Sequence, residues 1–395
     1  MGRKRKISLK RVLIGVCAFG LCAAIFFFIS QIQNKSIPHR NTIDTKISQY
    51  SDSHIAESAI AVNSQFKNIA FEAPPGKMSI SSQFAAAIKA VKSLIKISEK
   101  GAAKEYGSWV WTPIMDMTPK YMESVISEAK ANKVNVIYVS IDSYLDIFTM
   151  QKGTERDRLK NEFGKKLENF INLANRNSIA VDAEAGWRNW AEEGNEYKAF
   201  AVVNYVKNFN NAHKNKFRGF QYDVEPYLLD SYDKNKASVL KNFVALVDKT
   251  EYSLGTSTLR FSVVVPDFYD EKDKMTPKFS YNGEKNYAFK HLLNILDKRE
   301  NSSIIVMSYR NYAYGNDGSI EVSSNEMQTA DRGAYDTKII IAQETGDVPP
   351  PYITFHNTSK KYLLREIGKI DASFSQYANF GGIAIHYANA FLALK

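Results

Sequence analysis

The stretch Phe217-Arg218-Gly219-Phe220-Gln221-Tyr222-Asp223-Val224-Glu225-Pro226-Tyr227 decides the fold. Phe220, Tyr222 and Val224 alternate with Gly219, Gln221, Asp223 and Glu225, so one face is apolar and the other small or acidic. Pro226 has no N–H to give a sheet ladder, and the strand is expected to stop there. Asp223 and Glu225 then lie one behind the other on the same face, at the strand's C-terminal end. In a (β/α)₈ barrel that is the end where catalytic groups gather. The bland alternative is a solvated strand end whose acids cap the next loop.

Working outward, the same rhythm repeats. Strands are predicted over 108–114, 134–141, 179–184, 217–225, 259–266, 303–309, 338–344 and 382–387, with helix-periodic segments over 120–132, 156–176, 196–213, 234–249, 287–297, 321–332 and 360–374. Apolar strands alternating with helices predict a parallel sheet. Eight of them fit an α/β fold of the (β/α)₈ TIM-barrel type. A doubly wound open sheet is the alternative, but no Gly-rich turn follows an early strand.

The predicted strand ends share a chemistry. The first strand carries Trp109 and Trp111, the second ends in Asp142, and the third in Asp182 and Glu184, with Trp187 following. The fourth gives Gln221, Asp223 and Glu225, and the sixth Tyr309 and Arg310. The seventh ends in Gln343 and Glu344, the eighth in His386 and Tyr387. Aromatic faces for sugar rings, together with carboxylates for proton transfer, describe a carbohydrate site. Each member alone has an ordinary reading: Trp109 as core, Asp142 as a helix cap, Tyr309 as a packed ring, His386 as a satisfied histidine.

Gly219-Phe220-Gln221-Tyr222-Asp223-Val224-Glu225 is similar to the second half of the Asp-Gly-x-Asp-x-Asp-x-Glu signature of family 18 glycoside hydrolases, and Met307-Ser308-Tyr309 resembles their Met-x-Tyr-Asp. That resemblance implies Glu225 as acid and Asp223 as the residue orienting an acetamido group. Arg218 and Gln221 stand where the pattern has acids, Arg310 where it has Asp, and His386 near an expected Trp. The residues also resemble clan A retaining glycosidases, which place an acid/base Glu before Pro on strand four and a nucleophilic Glu at the end of strand seven. Glu225-Pro226 and Glu344 match those places, with Val224 where that clan has Asn.

The N-terminus is of another kind. Arg3-Lys4-Arg5-Lys6 and Lys10-Arg11 precede an uncharged run from Val12 to about Ser30, long enough to cross a hydrocarbon core of about 30 Å. The basic residues predict a tail (1–11) on the cytoplasmic side, a transmembrane signal-anchor (12–32) and everything downstream outside. A cleaved signal peptide competes, although Phe26-Phe27-Phe28-Ile29-Ser30-Gln31-Ile32 offers no small-x-small site. Residues 33–106 read as a linker and stalk that includes a helix-periodic segment with Phe84, Ile88, Val91 and Ile95 on one face, and 107–395 as the barrel.

The chain has 395 residues, 44% of them hydrophobic and 12% aromatic, which suits one large domain plus an accessory segment, or two domains. Its 52 Lys+Arg against 42 Asp+Glu give a formal net charge of +10, but no phosphate loop, nucleic-acid motif or basic helix stripe accompanies it, so nucleic acid is not an expected partner. Both cysteines, Cys17 and Cys22, lie in the apolar run, which leaves the barrel without a disulfide, a thiol nucleophile or a cysteine metal site. The expectation is a membrane-anchored, extracytoplasmic glycoside hydrolase-like barrel acting on a polysaccharide or glycan, with no cofactor and no metal. Glu225, Asp223 and Glu344 are its catalytic groups. A barrel that binds carbohydrate without cleaving it is the alternative of another class, and a divalent-metal deacetylase the alternative enzyme.

Overall fold

The computed structural model describes residues 104–270 and 275–395. The basic tail, the apolar run and the stalk up to residue 103 lie outside these described residues. Among the described residues no helix is long and apolar enough to cross a membrane.

Eight parallel strands close into a barrel. They are β1 (Glu105–Val110), β2 (Val136–Ser140), β3 (Ala180–Ala185), β4 (Gly219–Tyr222), β5 (Arg260–Pro266), β8 (Ser303–Met307), β9 (Lys338–Glu344) and β10 (Phe380–His386). Each pairs with the next, and β10 returns to β1. A short antiparallel hairpin, β6 (Phe279–Tyr281) with β7 (Glu284–Asn286), is inserted after β5.

Helices follow the strands: α1 (Pro119–Ala131), α2 (Tyr144–Thr149), α3 (Thr154–Arg176), α4 (Glu196–Ala212), α5 (Tyr232–Leu254), α6 (Ala288–Leu296), α7 (Ser319–Val322), α8 (Ser324–Arg332), α9 (Lys360–Phe374) and α10 (Ala388–Ala393). The sequence starts them by ordinary means. The Thr118 hydroxyl accepts from Tyr121 N at 3.2 Å ahead of Pro119, and the Ser359 hydroxyl accepts from Tyr362 N at 3.1 Å.

Strand alternation sorts the side chains into two cores. Val181, Phe220, Tyr222, Val263 and Ile341 face the helices, while Trp109, Tyr138, Val264, Ile305, Ile340 and Ala384 fill the barrel's interior. Both faces of the strands are therefore buried, as a parallel barrel requires. The inward row runs Trp109, Tyr138, Asp182, Gly219, Arg260 around β1 to β5, and one layer higher Ser140, Glu184, Gln221, Ser262.

Three strands are shorter at their ends than their sequence pattern predicts. β1 stops at Val110 because Pro113 begins a turn, with Asp116 N bonding to Pro113 O at 2.9 Å. β8 stops at Met307. β4 stops at Tyr222, so Asp223 and Glu225 leave on the loop that Pro226 turns into a 3₁₀ segment. Asp223 still donates its N–H to Ala185 O at 3.2 Å, which ties the start of that loop to β3. The hairpin, α2 and α10 are too short to give a periodic signal, and the sequence reading passes over them.

Candidate active site

Two groups of carboxylates stand at the C-terminal end of the barrel, one on β2 to β4 and one on β9. In the first, Asp142, Glu184, Asp223 and Glu225 come from three neighbouring strands. Gly186 N donates to Asp142 Oδ1 at 3.3 Å. A side chain on Gly186 is impossible, since a Cβ there would lie 1.9 Å from Asp223 O. The ends of β3 and β4 therefore touch backbone to backbone, and this contact brings their acids together. Tyr227, turned back by the 3₁₀ segment, donates its hydroxyl to Glu225 Oε1.

Electrostatics in this group all push one way. Burial holds Asp142 up at about 6 against the pull of the Gly186 N–H. Glu184 is 1% exposed, and burial followed by the charges of Asp142 and Asp223 raises it well above the carboxylate range. Asp223 is raised by burial, then by Glu225 and Asp142. Glu184 Oε2 and Asp223 Oδ1 are shut away from solvent without a hydrogen-bond partner. Among the described residues, none of the groups acting on these three acids is a lysine or arginine.

The second group is built around Glu344, 3% exposed at the end of β9. Gly346 N donates to its Oε1 at 2.6 Å, and His386 Nδ1 lies 2.6 Å from its Oε2. The indole N–H of Trp111 meets His386 Nε2 at 2.9 Å. An indole only donates, so Nε2 accepts and the proton of His386 is on Nδ1, where it donates to Glu344. Tyr309 stacks on His386 at 6.1 Å. Its hydroxyl is raised well above its usual range by burial, then by Glu344, Asp223 and Glu225. Tyr309 thus feels the charges of both groups.

The remaining residues expected at the site are placed differently. Asp182 is a correction: two residues before Glu184 on the same face, it lies one layer deeper. There the Arg218 guanidinium holds it, Nε to Oδ1 at 2.9 Å, together with Glu105 at 2.7 Å. Trp109 and Gln221, 1% and 0% exposed, form the floor, with the indole N–H donating to Gln221 Oε1 at 2.7 Å. Gln343, next to Glu344, points to the opposite face. Its amide donates to Ser308 O and Ala342 O and accepts from Ser319 Oγ, which removes it from the mouth. Arg310 pairs with Asp317 at 2.8 Å and Asp267 at 3.5 Å. Trp187 is 53% exposed beside Gly186, and Tyr387, half-buried, follows His386 through a cis peptide.

Sequence reasoning missed Tyr227, Gly186 and Gly346. Tyr227 was legible only through the turn that Pro226 imposes, and the two glycines only through close approaches that no local pattern records. Among the described residues no group of three or more His, Cys, Asp or Glu is arranged to hold a metal ion. A cavity of about 330 Å³ lined by Tyr144, Phe148, Tyr197 and Phe200 opens on the outer surface between α2 and α4, away from these acids.

No family model matches the chain, and no curated protein does. Solved structures do resemble it, and they are glycoside hydrolase barrels. An endo-1,4-β-D-mannanase from Thermotoga petrophila RKU-1 is 11% identical, covering 72% of this chain and 88% of that one at a TM-score of 0.47. A GH18 chitinase from Pseudoalteromonas aurantia is 12% identical over 74% and 98%, at 0.43. The spore cortex-lytic enzyme SleL from Bacillus megaterium QM B1551 is 13% identical over 73% and 72%, at 0.39. The likeness is to the barrel as a whole and assigns no residue a role.

Proposed function

We propose that the barrel is a glycoside hydrolase in which Glu225 protonates the leaving glycosidic oxygen and Glu344 supplies the second carboxylate. The observation that carries this reading is Tyr309, which lies in the field of acids from both β4 and β9. Two carboxylates facing one space are what glycoside hydrolysis needs. Tyr227 fixes the rotamer of Glu225. Burial, then the charges of Glu225 and Asp142, raise Asp223 beside it. Each Glu344 oxygen accepts one hydrogen bond, from Gly346 or His386, and keeps a lone pair for the sugar or for a water. Tyr309 and Trp187 offer ring faces to sugars, and Trp111 orients His386.

The test is turnover by the full-length protein on a panel of polysaccharides, alongside Glu225→Gln and Glu344→Gln. Positioned acid catalysis contributes about 10²–10⁴-fold, so Glu225→Gln should lose at least that much kcat with an unchanged circular dichroism spectrum. The anomer first released, followed by NMR, assigns Glu344 as nucleophile if configuration is retained or as base if it inverts. A glycan cleaved equally well by Glu225→Gln would end this reading, and binding without turnover across the panel would leave a carbohydrate-binding barrel. We further infer that residues 12–32 anchor the chain with the barrel outside, on the strength of the basic residues that flank only one side of the apolar run. A C-terminal tag that protease on intact cells fails to remove would reverse that orientation.

A further inference from the structure

The mouth carries an imbalance that acid catalysis does not require. Hydrolysis needs two carboxylates, yet five stand at this end of the strands: Asp142, Glu184, Asp223, Glu225 and Glu344. Buried charges are ordinarily paired, and at the other end of this barrel Arg218 is set between Glu105 and Asp182. Among the described residues, no lysine or arginine acts on Asp142, Glu184 or Asp223 in this way. The oxygen of Glu184 without a partner is the independent sign, because Glu184 is 1% exposed and within the fields of Asp142 and Asp223. A buried acceptor left open inside an acidic cluster asks for a donor that arrives with a ligand. Next in the chain after Gly186 comes Trp187, an exposed indole whose face suits a sugar ring or a cation.

We propose that the preferred ligand is a glycan whose sugars carry free amino groups, its ammonium bound among Asp142, Glu184 and Asp223 beside Trp187. The proposal rests on the reading of this rim as a glycan site, and it concerns recognition rather than turnover. An ammonium has three donors, enough to meet Glu184 Oε2 and Asp223 Oδ1 together and still reach a third acid. An N-acetyl group at the same carbon brings one amide N–H and no charge. The formal net charge of +10 opposes a polycation only at long range. At physiological salt the Debye length is about 8 Å, so the local acids decide the contact.

Binding of three tetrasaccharides by calorimetry tests this, on the full-length protein carrying Glu344→Gln so that the acids of β2 to β4 stay intact. Glucosamine tetramer should bind about tenfold more tightly than N-acetylglucosamine tetramer or mannose tetramer, the ratio expected for one hydrogen-bonded charge. Raising the salt should shrink that preference, and adding Asp142→Asn should cut it severalfold. The asparagine keeps the acceptor for Gly186 N–H, so the loop should hold its shape. Equal or tighter binding of the acetylated tetramer overturns the proposal. So does spermidine that binds as tightly as the glucosamine tetramer, because the site would then read ammonium groups without a sugar. If wild type cleaves only neutral glycans, the hydrolase reading survives and this one fails. If it holds glucosamine tetramer without cleaving any glycan, the reverse is true.

Discussion

At the N-terminal end of the barrel Glu105 and Asp182 share the guanidinium of Arg218, whereas at the C-terminal end Asp142, Glu184 and Asp223 have only one another. The strands are the same and the depth of burial is similar; the accounting of charge differs. At the lower end each buried carboxylate meets a fixed cation, as expected of groups that hold a structure together. At the upper end acids are crowded together, and burial and their neighbours raise them. The contrast separates an acid held by a fixed cation from an acid set among other acids, which sequence spacing alone does not do.

Three substitutions try that contrast. The largest effect is expected from Arg218→Met, which leaves Glu105 and Asp182 buried without their partner. Breaking a buried pair from one side costs about 3–5 kcal/mol, and urea titration should show a loss of that size. A variant as stable as wild type would mean that the lower end is no lock at all.

Asp142→Asn should act in the opposite direction. Burial holds Asp142 up at about 6, above its ordinary value of 3.8. Between those limits the folded state binds more protons than the unfolded chain, so stability falls as pH rises through the window, and the loss is complete above it. A shift from 3.8 to about 6 corresponds to roughly 3 kcal/mol, of which Glu184 and Asp223 absorb a part. Asparagine removes the penalty and should stabilise the protein by about 1–3 kcal/mol at pH 7 and hardly at all near pH 3, read from melts across pH. Destabilisation at pH 7 would place Asp142 among the structural acids instead.

Trp111→Phe should be the mildest. It removes the donor that fixes the proton of His386 on Nδ1, and with it part of the orientation of Glu344. Losing a hydrogen bond that orients a neighbouring functional group typically costs about tenfold or more, so kcat should fall about tenfold while KM and the melting temperature hold. An equal change in KM would show that the ring binds substrate and does not act through His386.

The order of strands and helices was legible because their periodicities differ, and the pattern 217–227 carried both the strand and its stop. Depth was not legible. Asp182 and Glu184 have the same parity, and only the register with β4 shows that Arg218 reaches the first and misses the second. Parity did contain one answer that was passed over, since Gln343 and Glu344 are neighbours and cannot face the same way. The acid cluster was invisible for another reason. Its spacing comes from Gly186 lying against Asp223, a contact between residues far apart in sequence that no composition rule signals.

The distribution of indoles gives the molecule an optical property of its own. The chain has four tryptophans, Trp109, Trp111, Trp187 and Trp190, and every one belongs to the end of β1 or β3. Light absorbed at the red edge of the indole band is therefore re-emitted from the mouth alone, with no background from the other end of the barrel. Trp187 stands in solvent, Trp111 touches His386, and Trp109 and Trp190 are enclosed, so a quencher, an occupant and a proton would each dim a different member of the set.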